Sequence, residues 1–157
     1  KFADWLFSQH YFPVFIEHVY AINDHENDSY CIKHIIEGME TGHYAYFADR
    51  SLNCYELKRI YSYFDYIVGT RFHSMIFSMA NMVPGVAITY VGNKGEGIME
   101  DMGLSDYYLR IDKVNTESLI EKFKYMLVTE DSVKKKISSF LATASSKRNQ
   151  LINRIRK

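Results

Sequence analysis

The stretch DYIVGTRFHSMIFSMANMVPGVAITY, residues 65 to 90, decides the fold. DYIVGT (65–70) is a short apolar run ending in a glycine, and it reads as a buried strand. A helix then opens at Arg71. Within it Phe72, Met75, Ile76, Met79 and Ala80 recur at i, i+3, i+4, i+7 and i+8, the spacing of one apolar helical face. PGVAITY (84–90) follows as the next strand. Strand, helix and strand at this rhythm make a βαβ unit, whose strands run parallel.

The alternation continues outward in both directions. Upstream, FPVFIEHVY (12–20) reads as a strand with a proline near its start, followed by the polar loop INDHENDS (22–29). Asp28 or Ser29 is the expected cap of a helix running to about Met39, with Ile32, Ile35, Ile36 and Met39 on its buried face. GHYAYFAD (42–49) reads as a strand, and SLNCYELKRIYSYF (51–64) as a helix with Tyr55, Leu57, Ile60 and Phe64 inward. Downstream, GEGIMEDM (95–102) is a short helix closed by Gly103, and YYLRID (107–112) is a last strand. Helices follow over 116–128 and 131–156, the second polar and basic toward its end. The expected class is α/β, a Rossmann-like parallel sheet with helices on both faces. No internal repeat or low-complexity tract interrupts it.

Composition narrows the function. A chain of 157 residues, 47% hydrophobic and 15% aromatic, suits one domain with a buried core, so a single Rossmann-like domain over 1–157 is expected. The 19 basic and 19 acidic residues cancel, which argues against a nucleic-acid binder of the usual basic kind. Apolar runs such as Gly85-Val86-Ala87-Ile88 fall far short of the ~20 residues of a membrane span. With no signal-peptide pattern in the first residues, Cys31 and Cys54, which lack CxxC or CxxH spacing, fit reduced thiols and a cytoplasmic location. The sequence starts at Lys1, and Phe2 to Phe12 reads as a helix already in progress, so a longer polypeptide is expected.

In parallel sheets, ligands bind outside the carboxyl ends of the strands. Thr70 stands at such an end as the expected N-cap, making Arg71 the first helical residue and His73 the third. Helix-start amides, the helix dipole and the guanidinium then converge on one place, which is an anion site. Arginine offers a planar fork for carboxylate or phosphate, and histidine can donate or pass a proton near neutral pH. The same residues also suit a structural role, with Arg71 paired to a carboxylate and His73 capping a buried carbonyl. On the residues alone, both readings stand.

The stretch from Asp65 to Leu104 resembles the signature of the polysaccharide pyruvyl transferase family. It carries an aspartate, a hydrophobic strand, G-T-R-x-H, a small-residue helix, V-P, a strand ending in tyrosine, a lysine and E-x-x-G-L. The resemblance implies the C-terminal half of a two-domain protein like the GT-B glycosyltransferases, with an N-terminal domain contributing the rest of the site. It implies transfer of the enolpyruvyl group of phosphoenolpyruvate to a sugar of a surface polysaccharide, or to a lipid-linked oligosaccharide, usually as a cyclic ketal. On this resemblance Arg71 and His73 are the catalytic and donor-binding candidates. Thr70, Ser74 and Lys94 are further substrate-binding candidates. Lys94 falls in VGNKGEG (91–97), where Gly92-Asn93 separate it from the strand more than the family usually shows. The 157 residues by themselves are expected to be inactive.

Other features of the sequence have plainer readings. VGNKGEG is neither a Walker loop nor a dinucleotide G-x-G-x-x-G, and no cofactor is implied. His18, Asp24, His25, Glu26 and Asp28 match no closed ligand set, so no metal is expected, and Asp24 or Asp28 suits a helix cap or the lining of a cleft. Tyr44, Tyr46, Tyr61, Tyr63, Tyr66, Tyr107 and Tyr108 read as half-buried packing with wet hydroxyls, a minority of them able to stack on sugars. The basic tail KRNQLINRIRK (147–157) reads as a solvated helix end, or as a contact with an anionic membrane surface. Two alternatives remain beside the pyruvyl reading: the nucleotide-sugar half of a GT-B glycosyltransferase, and a non-catalytic anion-binding domain.

Overall fold

A computed structural model describes residues 1–21, 23, 26–90 and 94–156. The backbone groups into two compact units, 1–53 and 54–157.

In the first unit, helix α1 (Phe2–Ser8) is followed by strand β1 (Val14–Ile16), helix α2 (Asp28–Glu37) and strand β2 (Ala45–Phe47). β1 and β2 pair in parallel, Val14 opposite Ala45 and Ile16 opposite Phe47, with α2 in the crossover. α1 is shorter than the expected 2–12: it stops at Ser8, and His10 takes a left-handed φ of 67° before Pro13. The cap of α2 is neither Asp28 nor Ser29. Asn27 occupies it, its side chain accepting from the Ser29 amide. Asp28 is the first helical residue, and its carboxylate instead accepts from the amides of His18 and Val19 at 2.9 and 3.0 Å, tying the end of β1 to the start of α2. Of the expected buried face, Ile32 is buried while Ile35 is 49% exposed.

Asp4 anchors a longer connection. Its Oδ1 accepts from the amides of Glu40 and Thr41 and from the Thr41 hydroxyl, at 2.9, 3.0 and 3.1 Å. The Thr41 amide above all, offset in part by burial, holds the carboxyl down at about 2. The unfolded value is near ~3.9, so this contribution is complete above about pH 4 and disappears as pH falls through about 2. Asp4→Asn is expected to cost about 1–2 kcal/mol at pH 7. Urea unfolding at both pH values checks this: the gap between wild type and variant closes near pH 2.

The second unit runs through α3 (Cys54–Ile60), a 3-10 turn (Tyr61–Tyr63), β3 (Ile67–Gly69), α4 (Phe72–Ala80), β4 (Gly85–Thr89) and α5 (Lys94–Asp101). A second 3-10 turn (Ser105–Tyr107), β5 (Tyr108–Arg110), α6 (Thr116–Val128) and α7 (Glu130–Ile155) complete it. β4 lies between β3 and β5, and both pairings are parallel. Parallel strands joined by helical crossovers are the Rossmann-like α/β organisation that the alternation predicts, with the pairing divided between two sheets. The strands are three to five residues long, shorter than the apolar runs that announce them.

β4 is the buried centre: Gly85, Val86, Ala87 and Thr89 are all enclosed. Around it, Met75 and Met79 of α4, Met99 of α5, Met102 and Leu104 form a thioether-rich core. Phe123 and Met126 of α6 and Val133 and Ile137 of α7 complete it. The expected helix 51–64 is cut to Cys54–Ile60, which turns Tyr55 outward at 80% exposure and leaves Tyr61 as the buried aromatic at 2%. Gly103 takes φ 69° after α5, the left-handed closure that favours glycine. α6 starts with a reciprocal cap between Asn115 and Ser118.

Polar side chains pin the long helix. The Tyr66 hydroxyl donates to Glu130 at 2.7 Å, and Lys134 also bonds Glu130, holding its carboxyl below the usual range. The Tyr107 hydroxyl donates to Thr129 at 3.0 Å. Among the described residues no helix is long and apolar enough to cross a membrane. Cys31 and Cys54 are both free and exposed.

Candidate functional site

The turn from β3 to α4 is shaped by a contact only glycine permits. A Cβ on Gly69 would sit 2.5 Å from Ser74 Oγ and 2.8 Å from Met75 Sδ, so the strand end lies directly on the first turn of α4. The helix starts one residue later than the sequence suggests. Arg71, not Thr70, is the N-cap, with extended φ and ψ of −95° and 134°. Its carbonyl accepts from the Ser74 amide at 3.1 Å and from the Ser74 hydroxyl at 2.6 Å. Phe72, His73 and Ser74 are therefore the first three helical residues. An arginine cannot accept hydrogen bonds through its side chain, so α4 carries no side-chain cap, and the positive end of its dipole is left for another acceptor.

A small cleft opens beside this turn, at the carboxyl ends of β3 and β4. Gly69, Thr70, Arg71 and Phe72 form one wall, Ala87, Ile88 and Thr89 another, with Met75 and Gly95 also in its lining. It is shallow and partly open to solvent, and beneath its mouth there is room for little more than one water.

The five candidates are placed differently. Thr70 is exposed and Arg71 half-buried, both on the cleft wall. His73 is exposed on the first turn of α4, its ring edge-on to Phe72 at 5.4 Å and tilted against Phe77 at 6.4 Å. Ser74 is buried, with its hydroxyl donated to the Arg71 carbonyl, so it braces the turn from beneath. Lys94 is exposed as the first residue of α5, one position before the cleft-lining Gly95. Val91, Gly92 and Asn93, the start of the glycine-rich turn, lie outside the described residues.

Two cleft residues escaped the sequence reading. Thr89 is 2% exposed, and its hydroxyl sits 3.4 Å from both Glu96 Oε1 and the Leu109 carbonyl. Gly95, the second residue of α5, also lines the cleft. The available signal was position: both flank the carboxyl end of the central strand. On the next strand, burial above all, with the carboxylates of Glu96 and Glu100, pushes the Tyr108 hydroxyl up.

Elsewhere, among the described residues, no cluster of three or more histidine, cysteine or carboxylate side chains could hold a metal. Of the residues weighed for a metal, Asp24 and His25 lie outside the described set. The tyrosines vary: Tyr61 and Tyr107 are buried, Tyr44, Tyr66 and Tyr108 half-buried, Tyr46 and Tyr63 exposed.

The parallel strands and helical crossovers define an α/β protein, and the Arg71 turn lies at the carboxyl edge of its sheet, where such folds bind their ligands. The family model of polysaccharide pyruvyl transferase matches residues 1–93, more than half the chain, and the protein belongs to that family. The match takes in the first unit, the β3–α4 turn and β4, and ends just before Lys94. No curated protein and no solved structure matches the chain.

Proposed function

We propose that the chain is the donor-binding, C-terminal part of a two-domain, GT-B-like pyruvyl transferase that takes its pyruvyl group from phosphoenolpyruvate. The acceptor is a sugar of a surface polysaccharide or of a lipid-linked oligosaccharide on the cytoplasmic side. The observation that carries the reading is Arg71, half-buried on the cleft wall at an uncapped helix start, within the family match.

Phosphoenolpyruvate presents a phosphate and a carboxylate on one small frame, which suits a guanidinium beside helix-start amides. Protonation of its methylene carbon makes C2 electrophilic, and a sugar hydroxyl adds there. Phosphate then leaves as a second hydroxyl closes the ketal, each hydroxyl giving up its proton. Arg71 stabilises the phosphate charge, and His73 supplies a proton to the carbon or to the departing phosphate. Thr70 and Lys94 add donors at the mouth, and Ser74 holds the Arg71 backbone in place.

Calorimetric titration of the full-length polypeptide with phosphoenolpyruvate and with UDP-sugars tests this. Saturable binding of phosphoenolpyruvate that is lost in Arg71→Ala is expected. Preference for UDP would move the protein to the nucleotide-sugar reading. The isolated 157 residues should release no phosphate with any acceptor, and measurable turnover by them would sink the two-domain part of the proposal.

A further inference from the structure

The second half of α7 has a composition that no feature of the donor site requires. From Ser132 to the final residue the sequence holds eight basic side chains and no acidic one, while residues 1–131 hold 11 basic and 19 acidic ones. Every residue from Ala142 to Arg156 is exposed. At 3.6 residues per turn, the buried Val133 and Ile137 fall in the same arc of about 40° of the helix circumference as Leu151 and Ile155. The apolar stripe that packs α7 onto its unit thus continues uncovered, with Leu151 at 58% and Ile155 at 76% exposure and Ile152 at its margin.

We propose that this segment docks on an anionic lipid surface, lying flat with the Leu151–Ile155 face in the headgroup layer. Charge chooses lipid over a protein partner. Arg148 lies about 20° beyond Ile155, between it and Ile152, where the helix itself offers no carboxylate to pair it. At a bilayer its stem lies along the apolar face and its head reaches phosphate. Lys147, Arg154 and Arg156 flank the stripe in the same way, and the segment itself presents no acidic side chain to the headgroups. Apolar residues are few, so binding is reversible and charge-dependent. The inference stands apart from the choice of donor, since it uses no residue of the cleft.

Co-sedimentation of the full-length protein with phosphatidylglycerol-containing vesicles, against pure phosphatidylcholine vesicles, tests it. Binding to the anionic vesicles alone is expected, reversed by high salt and weakened at least about 30-fold by Arg148→Glu with Arg154→Glu. Leu151→Ser with Ile155→Ser should weaken it too. All four side chains are exposed, so unchanged thermal melting accompanies both variants. Equal sedimentation with both lipids, no sedimentation with either, or variants that bind like wild type would overturn the proposal. So would light scattering that shows a dimer dissolved by the same substitutions, or tighter binding to RNA than to vesicles.

Discussion

Arg71→Ala is expected to lower kcat/KM of the full-length transferase by about 10²–10³-fold, the loss seen when one preorganised donor to a developing anion is removed. Arg71→Lys should recover only part of it, because an ammonium cannot present the planar two-point fork. The start of α4 has no side-chain cap to lose, and a melting curve reports any change in stability separately. Steady-state kinetics beside a melting curve separates the two effects. His73→Gln provides the contrast. If the imidazole transfers a proton, this variant loses kcat while phosphoenolpyruvate still binds. A uniform loss of binding with kcat intact would assign His73 to holding the donor instead.

Gly85→Ala is expected to be the most destabilising small substitution in the second unit. The added Cβ would lie 2.6 Å from the Ile67 carbonyl oxygen, a backbone atom held in the β3–β4 pairing, so no side-chain rotation relieves it. Strain of this kind costs about 1–3 kcal/mol, or roughly 2–12 °C in the midpoint of thermal unfolding for a chain of this size. Gly97→Ala should act in the opposite direction. It sits in α5 with nothing within 4 Å of the new Cβ, and replacing a helical glycine there gains about 0.5–1 kcal/mol. Differential scanning calorimetry of both variants checks the pair, and a tolerated Gly85→Ala would mean that β3 and β4 are not held in this register.

The order of elements was legible because periodicity reports burial: Met75 and Met79 fall where the helical spacing puts them. Edges and caps were less legible. Thr70 has the better capping chemistry, but the close seat of Gly69 on Ser74 and Met75 delays the helix by one residue and gives the cap to an arginine. Asp28 has capping chemistry too, and the amides of His18 and Val19 claim it from ten and nine residues away. A helix over 51–64 would turn Tyr55 inward, but the helix begins only at Cys54 and leaves Tyr55 exposed. The R-x-H turn could be found as a pattern, whereas Thr89 could not, since its place in the cleft depends on the β3–β4–β5 register. Glu17 escaped for a similar reason. Local pattern does not show that this carboxyl, just past β1, is 4% exposed with one oxygen lacking a hydrogen-bond partner, its proton affinity raised chiefly by burial.

Of the seven methionines in the sequence, Met75, Met79, Met99, Met102 and Met126 are enclosed in the second unit. While the chain stays folded, these sulfurs are shielded from peroxide. Once one becomes a sulfoxide, a polar, chiral group must occupy a space shaped for a thioether. Oxidative damage to this protein should therefore be cooperative: the first lesion loosens the interior, and the remaining sulfurs follow faster.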